Sequence, residues 1–326
     1  MTSSVLPLVS IITPSYQQAE FLERTMLSVL DQEYPNIEYI VVDGASTDGS
    51  LEIIRKYANR LAWWVSEKDN GQAEAINKGV ARAKGEIVAW LNSDDMLTPG
   101  AVREAVEALQ QNPQAGFVFG NVRVVDANDR VINELRYGNW GLRELMSFHI
   151  IGQPAVFMRR SALPAGGFLD PGYHFLLDHQ LWLRIAVRSP IVYQQRFWAE
   201  AHYHEGAKNM AQAEKFGSEA LRLAEWMRTF PEFEKEYRKH KHEIMAGAER
   251  INGFYLLDAE KYSRAFRAYM RAFFHDPRVV LPEWYRVLYC LAAPLGLKGL
   301  KKRRLENRIK KLNPEGAGTI EAKRNP

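Results

Sequence analysis

Short runs of β-branched and other apolar residues alternate with amphipathic segments through the first hundred residues. The apolar runs predict strands, and the segments between them have the spacing of apolar positions that is typical of helices. Strands are expected at 8–13, 37–42, 61–65 and 86–91, and helices at 20–32, 50–57, 73–83 and 99–111. Strands that alternate with helices favour right-handed βαβ units, so the predicted class is α/β with a mainly parallel sheet.

The pattern changes further along the chain. A strand pair is expected at 117–126 and 130–135, and another strand at 153–159. From 211 to about 311 the apolar spacing is almost wholly helical. The sequence therefore predicts an α/β domain at 1–210 and a helical extension at 211–326, with the boundary between 205 and 212.

The composition narrows the class of protein. The chain has 326 residues, 46% of them hydrophobic, which suffices for one large core or two modest ones. Its single cysteine, Cys290, excludes an intrachain disulfide and a cysteine-rich metal site. A secretory signal begins with basic residues, and this chain has none before Arg24. No apolar run reaches the ~18 residues of a membrane span. A cytoplasmic location is expected.

The positive charge is concentrated near the C-terminus. Residues 298–311 contain eight basic residues and one acidic residue, a net charge of +7 in a chain whose total is +4. Aromatic and aliphatic residues at 284–300 precede this cluster, and the combination suits the surface of an anionic membrane. We expect segment 282–311 to bind a membrane surface, or else to be a solvated basic helix. No recognised binding module accompanies the charge, so no nucleic-acid partner is expected.

Two adjacent carboxylates follow the apolar run at 86–91. Asp94 and Asp95 would lie at the carboxyl end of a buried strand, where α/β sheets bind their ligands. Close carboxylates repel each other unless a cation or a hydroxyl-bearing ligand lies between them. The pair predicts a divalent metal that carries a phosphate, or alternatively a solvated Asp-Asp turn before the next helix.

Other polar residues would share this edge of the sheet. Asp43 ends the second strand, and Pro14 and Tyr16 follow the first. A carboxylate can accept a hydrogen bond from a nucleobase, and a tyrosine ring can cover the base. An ordinary Asp-Gly turn and a partly buried loop tyrosine explain the same residues. Neither G-x-G-x-x-G nor G-x-x-x-x-G-K-[ST] occurs, which argues against dinucleotide oxidoreductases and P-loop phosphotransferases.

Five ordered segments resemble the family 2 glycosyltransferases of the GT-A fold. They are Ser10-Ile-Ile-Thr-Pro-Ser-Tyr16, Ser28-Val-Leu-Asp-Gln32, Val41-Val-Asp-Gly-Ala-Ser-Thr-Asp-Gly49, Asp69-Asn-Gly-Gln-Ala-Glu-Ala-Ile-Asn-Lys-Gly79 and Asn92-Ser-Asp-Asp95. The resemblance covers about residues 8–205. The chain departs from it after the second strand, with Gly44 and Ala45 where Asp and Gly are frequent.

The resemblance implies a nucleotide-sugar donor, with UDP the usual nucleotide. The implied donor contacts are Pro14, Tyr16 and Asp43 at the base, Asp94 at the ribose or diphosphate, and Gln72 and Asn77 near the nucleotide and sugar. Asp95 would bind Mg²⁺ or Mn²⁺, and His204 would approach the metal, unless it is a plain loop histidine.

The resemblance also implies an inverting transfer with a catalytic base. Its acceptor-side motif maps onto Leu176-Leu-Asp-His-Gln180 and assigns the base to Asp178, although the usual preceding Glu is Leu177. A helix N-cap is the plainer explanation of Asp178, and His179 is an alternative base.

The implied acceptor is a glycan or a lipid-linked molecule, in surface polysaccharide or glycolipid assembly. Two other functions compete. A nucleotidyltransferase should have a glycine-rich basic loop after the first strand, and 14–18 lacks one. A non-catalytic nucleotide-sugar or glycan-binding protein with a decayed site is the other.

Overall fold

The computed structural model describes residues 6–165, 167–203, 213–296 and 299–313. The strands are β1 (Val9–Ser15), β2 (Ile37–Asp43), β3 (Trp63–Ser66), β4 (Ile87–Trp90), β5 (Asp95–Leu97), β6 (Phe117–Val125), β7 (Val131–Leu135), β8 (Val156–Arg159) and β9 (Ile191–His202). The helices are α1 (Ala19–Leu30), α2 (Ser50–Lys56), α3 (Gln72–Arg82), α4 (Ala101–Gln111), α5 (Leu142–Met146), α6 (Leu177–Ala186), α7 (Ala213–Thr229), α8 (Glu234–Asp258), α9 (Tyr262–His275), α10 (Pro277–Val280), α11 (Trp284–Ala292) and α12 (Gly299–Leu312).

The sheet is mixed, with strand order β3-β2-β1-β4-β8-β6-β9-β5 and with β7 beside β6. The pairs β3–β2, β2–β1 and β1–β4 are parallel, whereas β4–β8, β8–β6 and β9–β5 are antiparallel. The predicted βαβ units thus form the N-terminal half of the sheet, and their carboxyl ends meet at one edge.

Helices cover both faces of this sheet because alternate strand residues point to opposite sides. Val9 and Ile11 belong to one fully buried cluster together with residues of α1 and α4. Ile12 points the other way and contacts α3, whose Gly79 lies so close that an added Cβ would come within 2.5 Å of the Ile12 side chain. The small residue lets α3 lie directly on β1.

The predicted strand at 153–159 is shorter than expected. Residues Gln153–Ala155 form a 3₁₀ turn, and the strand begins only at Val156. Pro154 has no N–H to donate to a ladder, so it cannot belong to the interior of a sheet.

The chain groups into two compact units. Of the described residues, the first unit comprises those in 6–122, 135–145 and 150–201, and the second comprises those in 123–134, 146–149, 202–203, 213–296 and 299–313. In the second unit α7, α8 and α9 pack side by side, with a buried cluster of Leu256, Leu257, Ala265, Ala268, Tyr269, Ala272, Val280 and Cys290. No helix among the described residues is long and apolar enough to cross a bilayer.

Candidate functional site

The carboxyl ends of four parallel strands form the edge at which the predicted site lies. Ser15 pairs with Asp43, and Asp43 pairs with Ser66, so β1, β2 and β3 end side by side. The next turn begins just past Trp90 of β4, which pairs with Ile12. This register places the Tyr16 loop, the Asp43 turn and the acidic pair on one rim, as the sequence predicts.

The acidic pair is held rigidly. Residues 92–95 form a turn in which the Asp95 N–H donates to the Asn92 carbonyl at 3.1 Å. The Thr25 hydroxyl of α1 lies 3.0 Å from the Ser93 carbonyl oxygen and 2.8 Å from that of Asp95. Asp95 also begins β5, which pairs with β9. The backbone of the pair is therefore bonded on both sides, and Asp95 is buried whereas Asp94 is half-buried in the turn.

Asp95 is the most perturbed carboxylate of the rim. Its residue is 7% exposed, and burial together with the negative charge of Asp94 raises the pKa of the Asp95 carboxyl well above its usual range. The Asn92 amide, 3.4 Å from Asp95 Oδ2, opposes this shift only weakly. Among the described residues no basic side chain forms an ion pair with Asp95. A bound cation would therefore reduce the electrostatic cost of the ionised Asp95 carboxylate.

A short chain of amides connects this pair to α3. Gln72, the first residue of α3, donates from Nε2 to Asn92 Oδ1 at 2.8 Å, and Asn92 in turn points its amide nitrogen at Asp95. Gln72 therefore lies next to the acidic pair, and its predicted contact with the nucleotide or sugar stays a prediction. Asn92 was not among the predicted site residues, although its position in the Asn92-Ser-Asp-Asp95 motif was a signal that could have identified it.

The oxygen atoms of the pair suit a hard divalent cation. Mg²⁺ is usually held by one or two carboxylates together with substrate phosphates, and Asp94 and Asp95 provide that donor set. In the described part of the chain no cluster of three or more His, Cys, Asp or Glu could hold a metal ion. The third predicted ligand, His204, lies outside the described residues.

Asp43 is buried beneath the rim. Its side chain has no exposed surface, and its carboxylate accepts hydrogen bonds from Ser46 N (2.9 Å), Ser46 Oγ (2.6 Å) and Ser66 Oγ (2.6 Å). Pro14 is also buried, because β1 continues through it to Ser15 instead of ending at Thr13. Both residues are buried at the ends of their strands and support the exposed residues of the rim.

Tyr16 is the exposed aromatic of the rim. It is 62% exposed, and the residue after it, Gln17, has a φ of 54°. Gln17 is bonded to the Asp43 turn through Ser46 Oγ and through Thr47, which both donates to and accepts from its amide. These bonds hold Tyr16 in place as a fixed surface for a flat ligand group.

Ala45 in the same turn has a φ of 62°, a conformation that costs a non-glycine residue about 1–2 kcal/mol. We expect Ala45→Gly to raise the melting temperature by about 1–3 °C, because the relief of this strain exceeds the extra entropy that glycine gives the unfolded chain. Differential scanning fluorimetry measures the shift. The matched control is Ala81→Gly in the last turn of α3, a helical position where the same substitution should lower the melting temperature. Equal losses in both variants would contradict the expectation.

Asn77 is bonded to the loop before α6, and its place near the nucleotide and sugar stays a prediction. Its Nδ2 donates to the Leu169 carbonyl at 2.9 Å, and its Oδ1 accepts from Leu169 N at 2.8 Å. The side chain therefore ties α3 to the loop that leads towards Asp178. Arg184 of α6 holds the same loop through the carbonyls of Gly167 and Phe168.

Asp178 lies in the first turn of α6, which packs against β4. Trp182 of α6 stacks on Trp90 at 5.3 Å between ring centroids. Asp178 is half-buried, and its Oδ1 accepts a hydrogen bond from His179 N at 2.7 Å. Burial raises the pKa of Tyr137, and the charge of Asp178 adds to the rise, so this carboxylate is close enough to act on that phenol electrostatically.

The alternatives for this helix start are weaker. The N-cap position of α6 is Leu176, not Asp178, and no side chain caps the helix. His179 has no exposed surface, and its Nε2 lies 2.9 Å from the Leu145 carbonyl. Its full burial favours a packing role and makes it a weaker candidate for the base than the half-buried Asp178.

Comparison with known sequences gives consistent matches. The model of the Glycosyl transferase family 2 matches residues 10–164. An uncharacterized glycosyltransferase of Mycobacterium tuberculosis is 33% identical over 192 residues, which are 57% of this chain and 71% of that protein. TuaG of Bacillus subtilis, named for teichuronic acid biosynthesis, is 41% identical over 108 residues, 32% of this chain and 43% of TuaG. The chain thus matches less than half the length of TuaG.

Two solved structures share the fold. The mannosyltransferase PcManGT of Pyrobaculum calidifontis, in complex with GDP-Man and Mn²⁺, superposes with a TM-score of 0.57 at 20% identity and covers 90% of this chain and 89% of its own. TarS 1-349 of S. aureus, in complex with UDP-GlcNAc, has a TM-score of 0.54 at 17% identity, covering 86% and 91%.

Proposed function

Because the chain belongs to the family 2 glycosyltransferases and has their GT-A fold, we propose that it moves a sugar from a UDP-sugar to an acceptor hydroxyl with inversion. The observation that carries this proposal is the acidic pair after β4, with Asp95 buried, together with the neighbouring helix α6 whose first turn contains Asp178. A protein that only binds a nucleotide sugar would use the same acidic pair, whereas turnover of the donor would also need Asp178.

The reaction assigns a distinct task to Asp178. Its carboxylate accepts the proton of the acceptor hydroxyl, whose oxygen forms a bond to the anomeric carbon of the donor. The bond from that carbon to the diphosphate oxygen breaks on the opposite face, and the nucleoside diphosphate leaves with the electron pair. Attack and departure on opposite faces invert the anomeric configuration.

The rim holds the donor for this reaction. Tyr16 covers the base, Asp94 contacts the ribose or diphosphate, and Asp94 and Asp95 hold Mg²⁺ or Mn²⁺. When bound, the ion supplies Lewis-acid stabilisation of the charge on the leaving diphosphate. The Gln72–Asn92 chain orients the Asp95 carboxylate. The GDP-Man and Mn²⁺ bound to PcManGT, and the UDP-GlcNAc bound to TarS, support a nucleotide-sugar donor and a metal.

Donor binding is tested by thermal unfolding with UDP, in Mn²⁺ or in EDTA. A ligand that binds only the native state raises the melting temperature by mass action. We expect UDP and Mn²⁺ together to raise it by several degrees and UDP in EDTA to change it little. Equal shifts in Mn²⁺ and EDTA would contradict the metal, and no shift with either would contradict the donor.

The proposed acceptor is a glycan or a lipid-linked molecule of surface polysaccharide or glycolipid assembly, a class that the name of TuaG supports. An apolar stripe on and around α11 supports a membrane location for it. The members of the stripe recur every three or four residues and are 52–81% exposed: Leu281, Trp284, Leu288, Leu291 and Leu295. The opposite face of α11 is packed, with Cys290 buried among residues of α8 and α9.

The stripe is followed directly by the +7 segment at 298–311. A second copy of the chain would bring like charges together, whereas an anionic bilayer accepts the apolar stripe and attracts the basic segment. We therefore propose that this face lies on the cytoplasmic surface of a membrane.

Vesicle sedimentation tests the membrane proposal. We expect the protein to pellet with phosphatidylglycerol-containing vesicles and Leu288→Glu/Leu291→Glu to bind at least about 10-fold more weakly, because two apolar contacts are lost and two charges are repelled. Lys235→Gln/Lys239→Gln, exposed on α8, makes the same change in net charge and should pellet like wild type. Equal pelleting of both variants would contradict the stripe as the anchor.

A further inference from the structure

The turn after β2 contains a space that a neighbouring loop fills. Gly44 has no side chain, and a Cβ placed there would lie 3.0 Å from Asp69 Oδ2 and 3.1 Å from Tyr16 Cδ2. The Asp69 carboxylate and the edge of the Tyr16 ring are thus both close neighbours of Gly44. A residue from the loop between β3 and α3 thus provides the carboxylate that the Asp43-Gly44-Ala45 turn does not project.

The loop around Asp69 is well anchored. Asp69 Oδ1 accepts a hydrogen bond from Gly71 N at 2.9 Å, which closes a tight turn before α3. The next residue, Asn70, donates to Glu74 from both its backbone N (3.1 Å) and Nδ2 (2.7 Å). One oxygen of Asp69 is thereby used to fix the loop, and the other, Oδ2, faces Gly44 and Tyr16.

We propose that Asp69 is the carboxylate that reads the nucleobase of the donor, by accepting the hydrogen bond of its imino N–H. The inference rests on the proposed nucleotide-sugar donor and deepens it. Asp43 is the other carboxylate of this part of the rim, but it has no exposed surface and already accepts from Ser46 and Ser66. Asp69 is half-buried, and its Oδ2 and the ring of Tyr16, on which a base would stack, are both close to Gly44.

This chemistry selects one class of nucleotide. An ionised carboxylate can only accept hydrogen bonds. Uracil, thymine and guanine present an imino N–H and can donate to it, whereas cytosine and adenine present a bare ring nitrogen in the same place. With cytosine, the hydrogen bond is lost and the carboxylate faces the bare ring nitrogen, which is also an acceptor. This change should reduce the affinity for the nucleotide by about 10- to 100-fold. The site should therefore prefer UDP to CDP.

Calorimetric titration of UDP and CDP in Mg²⁺ tests the assignment without any acceptor or turnover. We expect wild type to prefer UDP by at least about 10-fold and Asp69→Asn to lose most of that preference, because an amide can donate to cytosine as well as accept from uracil. Glu67→Gln, at an exposed residue of the same loop that pairs with Lys78, makes the same charge change and should keep the preference. An unchanged UDP-to-CDP ratio in Asp69→Asn would overturn the assignment.

Exchange of the residues at positions 44 and 69 gives a second test of the assignment. Gly44→Asp should weaken UDP binding by at least about 10-fold, because its carboxylate would crowd and repel that of Asp69. Gly44→Asp/Asp69→Gly removes the repulsion and returns one carboxylate to the site, so UDP binding and the preference over CDP should recover. A double variant as weak as the single one would count against the shared space.

The proposed donor and the proposed role of Asp69 are contradicted by different results. If wild type does not bind UDP, the proposed donor is wrong and the role of Asp69 falls with it. If wild type binds UDP but its preference over CDP does not depend on Asp69, the donor stands and only the assignment to Asp69 is wrong.

Discussion

Asp178→Asn should lower the rate of sugar transfer by about 10²–10⁴-fold while leaving UDP affinity within about threefold of wild type. The amide keeps the shape of the side chain and its place in the first turn of α6, but it cannot take a proton from the acceptor hydroxyl. Because Asp178 is not among the donor contacts, the loss should fall on turnover and not on binding. Release of nucleoside diphosphate and calorimetric titration with UDP measure the two quantities on the same preparation.

The matched control for this variant is Asp170→Asn. Asp170 is an exposed carboxylate in the loop before α6, and it accepts a local hydrogen bond from Gly172 N at 2.8 Å. Its loss should change turnover by less than about threefold. If Asp178→Asn retained full turnover, the base would have to be another group. If UDP affinity fell as much as turnover, Asp178 would instead be a residue of the donor site.

Asp95→Asn should have two effects of opposite sign. Burial and the charge of Asp94 raise the pKa of the Asp95 carboxyl in the folded protein, so near neutral pH the metal-free fold bears an unfavourable charge. The neutral amide removes it, and the variant should melt at a higher temperature than metal-free wild type at pH 7.5. The same change should weaken Mn²⁺-dependent UDP binding by at least about 10–100-fold, since a metal ligand is lost.

The pH dependence of this difference follows from the direction of the shift. Between the unfolded and the raised folded pKa of Asp95 the native state binds more protons, so the stability of wild type falls as pH rises through that window. The advantage of Asp95→Asn should therefore shrink as pH is lowered towards the unfolded value. Scanning fluorimetry from pH 4.5 to 8, in EDTA, measures it.

The control for Asp95→Asn is Asp31→Asn. Asp31 forms an exposed ion pair with Arg60 at 2.9 Å, with 61% of its side chain exposed, so its loss should cost little at any pH. A variant at Asp95 that is less stable than wild type in EDTA, and that still responds to Mn²⁺, would contradict the acidic pair as the metal site.

Much of the first unit could be predicted from the sequence because its signals are local. The strand starts and ends of β1, β2 and β4 fall within two residues of the expected ones, since a buried parallel strand must be an apolar run. The ordered motifs also identified the family, the enzyme class and the GT-A fold, which the comparisons confirm. Asp94, Asp95 and Tyr16 lie together at the rim because parallel strands end on the same side.

The side-chain environments could not be predicted because they depend on contacts between distant parts of the chain. Asn77 bonds to Leu169, which is 92 residues away, and no local pattern marks that partner. The burial of Asp43 depends on Ser66 of the neighbouring strand. Asp69 was part of a recognised motif, but its proximity to Gly44 appears only when the loops after β2 and β3 are brought together.

The most direct measurement is release of nucleoside diphosphate from a panel of UDP-, GDP- and dTDP-sugars, in Mn²⁺ and in EDTA, with phosphatidylglycerol vesicles and a membrane glycolipid extract as the acceptor source. The proposed function predicts release from one UDP-sugar in Mn²⁺, its loss in EDTA and its loss in Asp178→Asn. The proposal would be contradicted by release that is insensitive to EDTA or to Asp178→Asn. It would also be contradicted if a GDP- or dTDP-sugar were consumed and no UDP-sugar were.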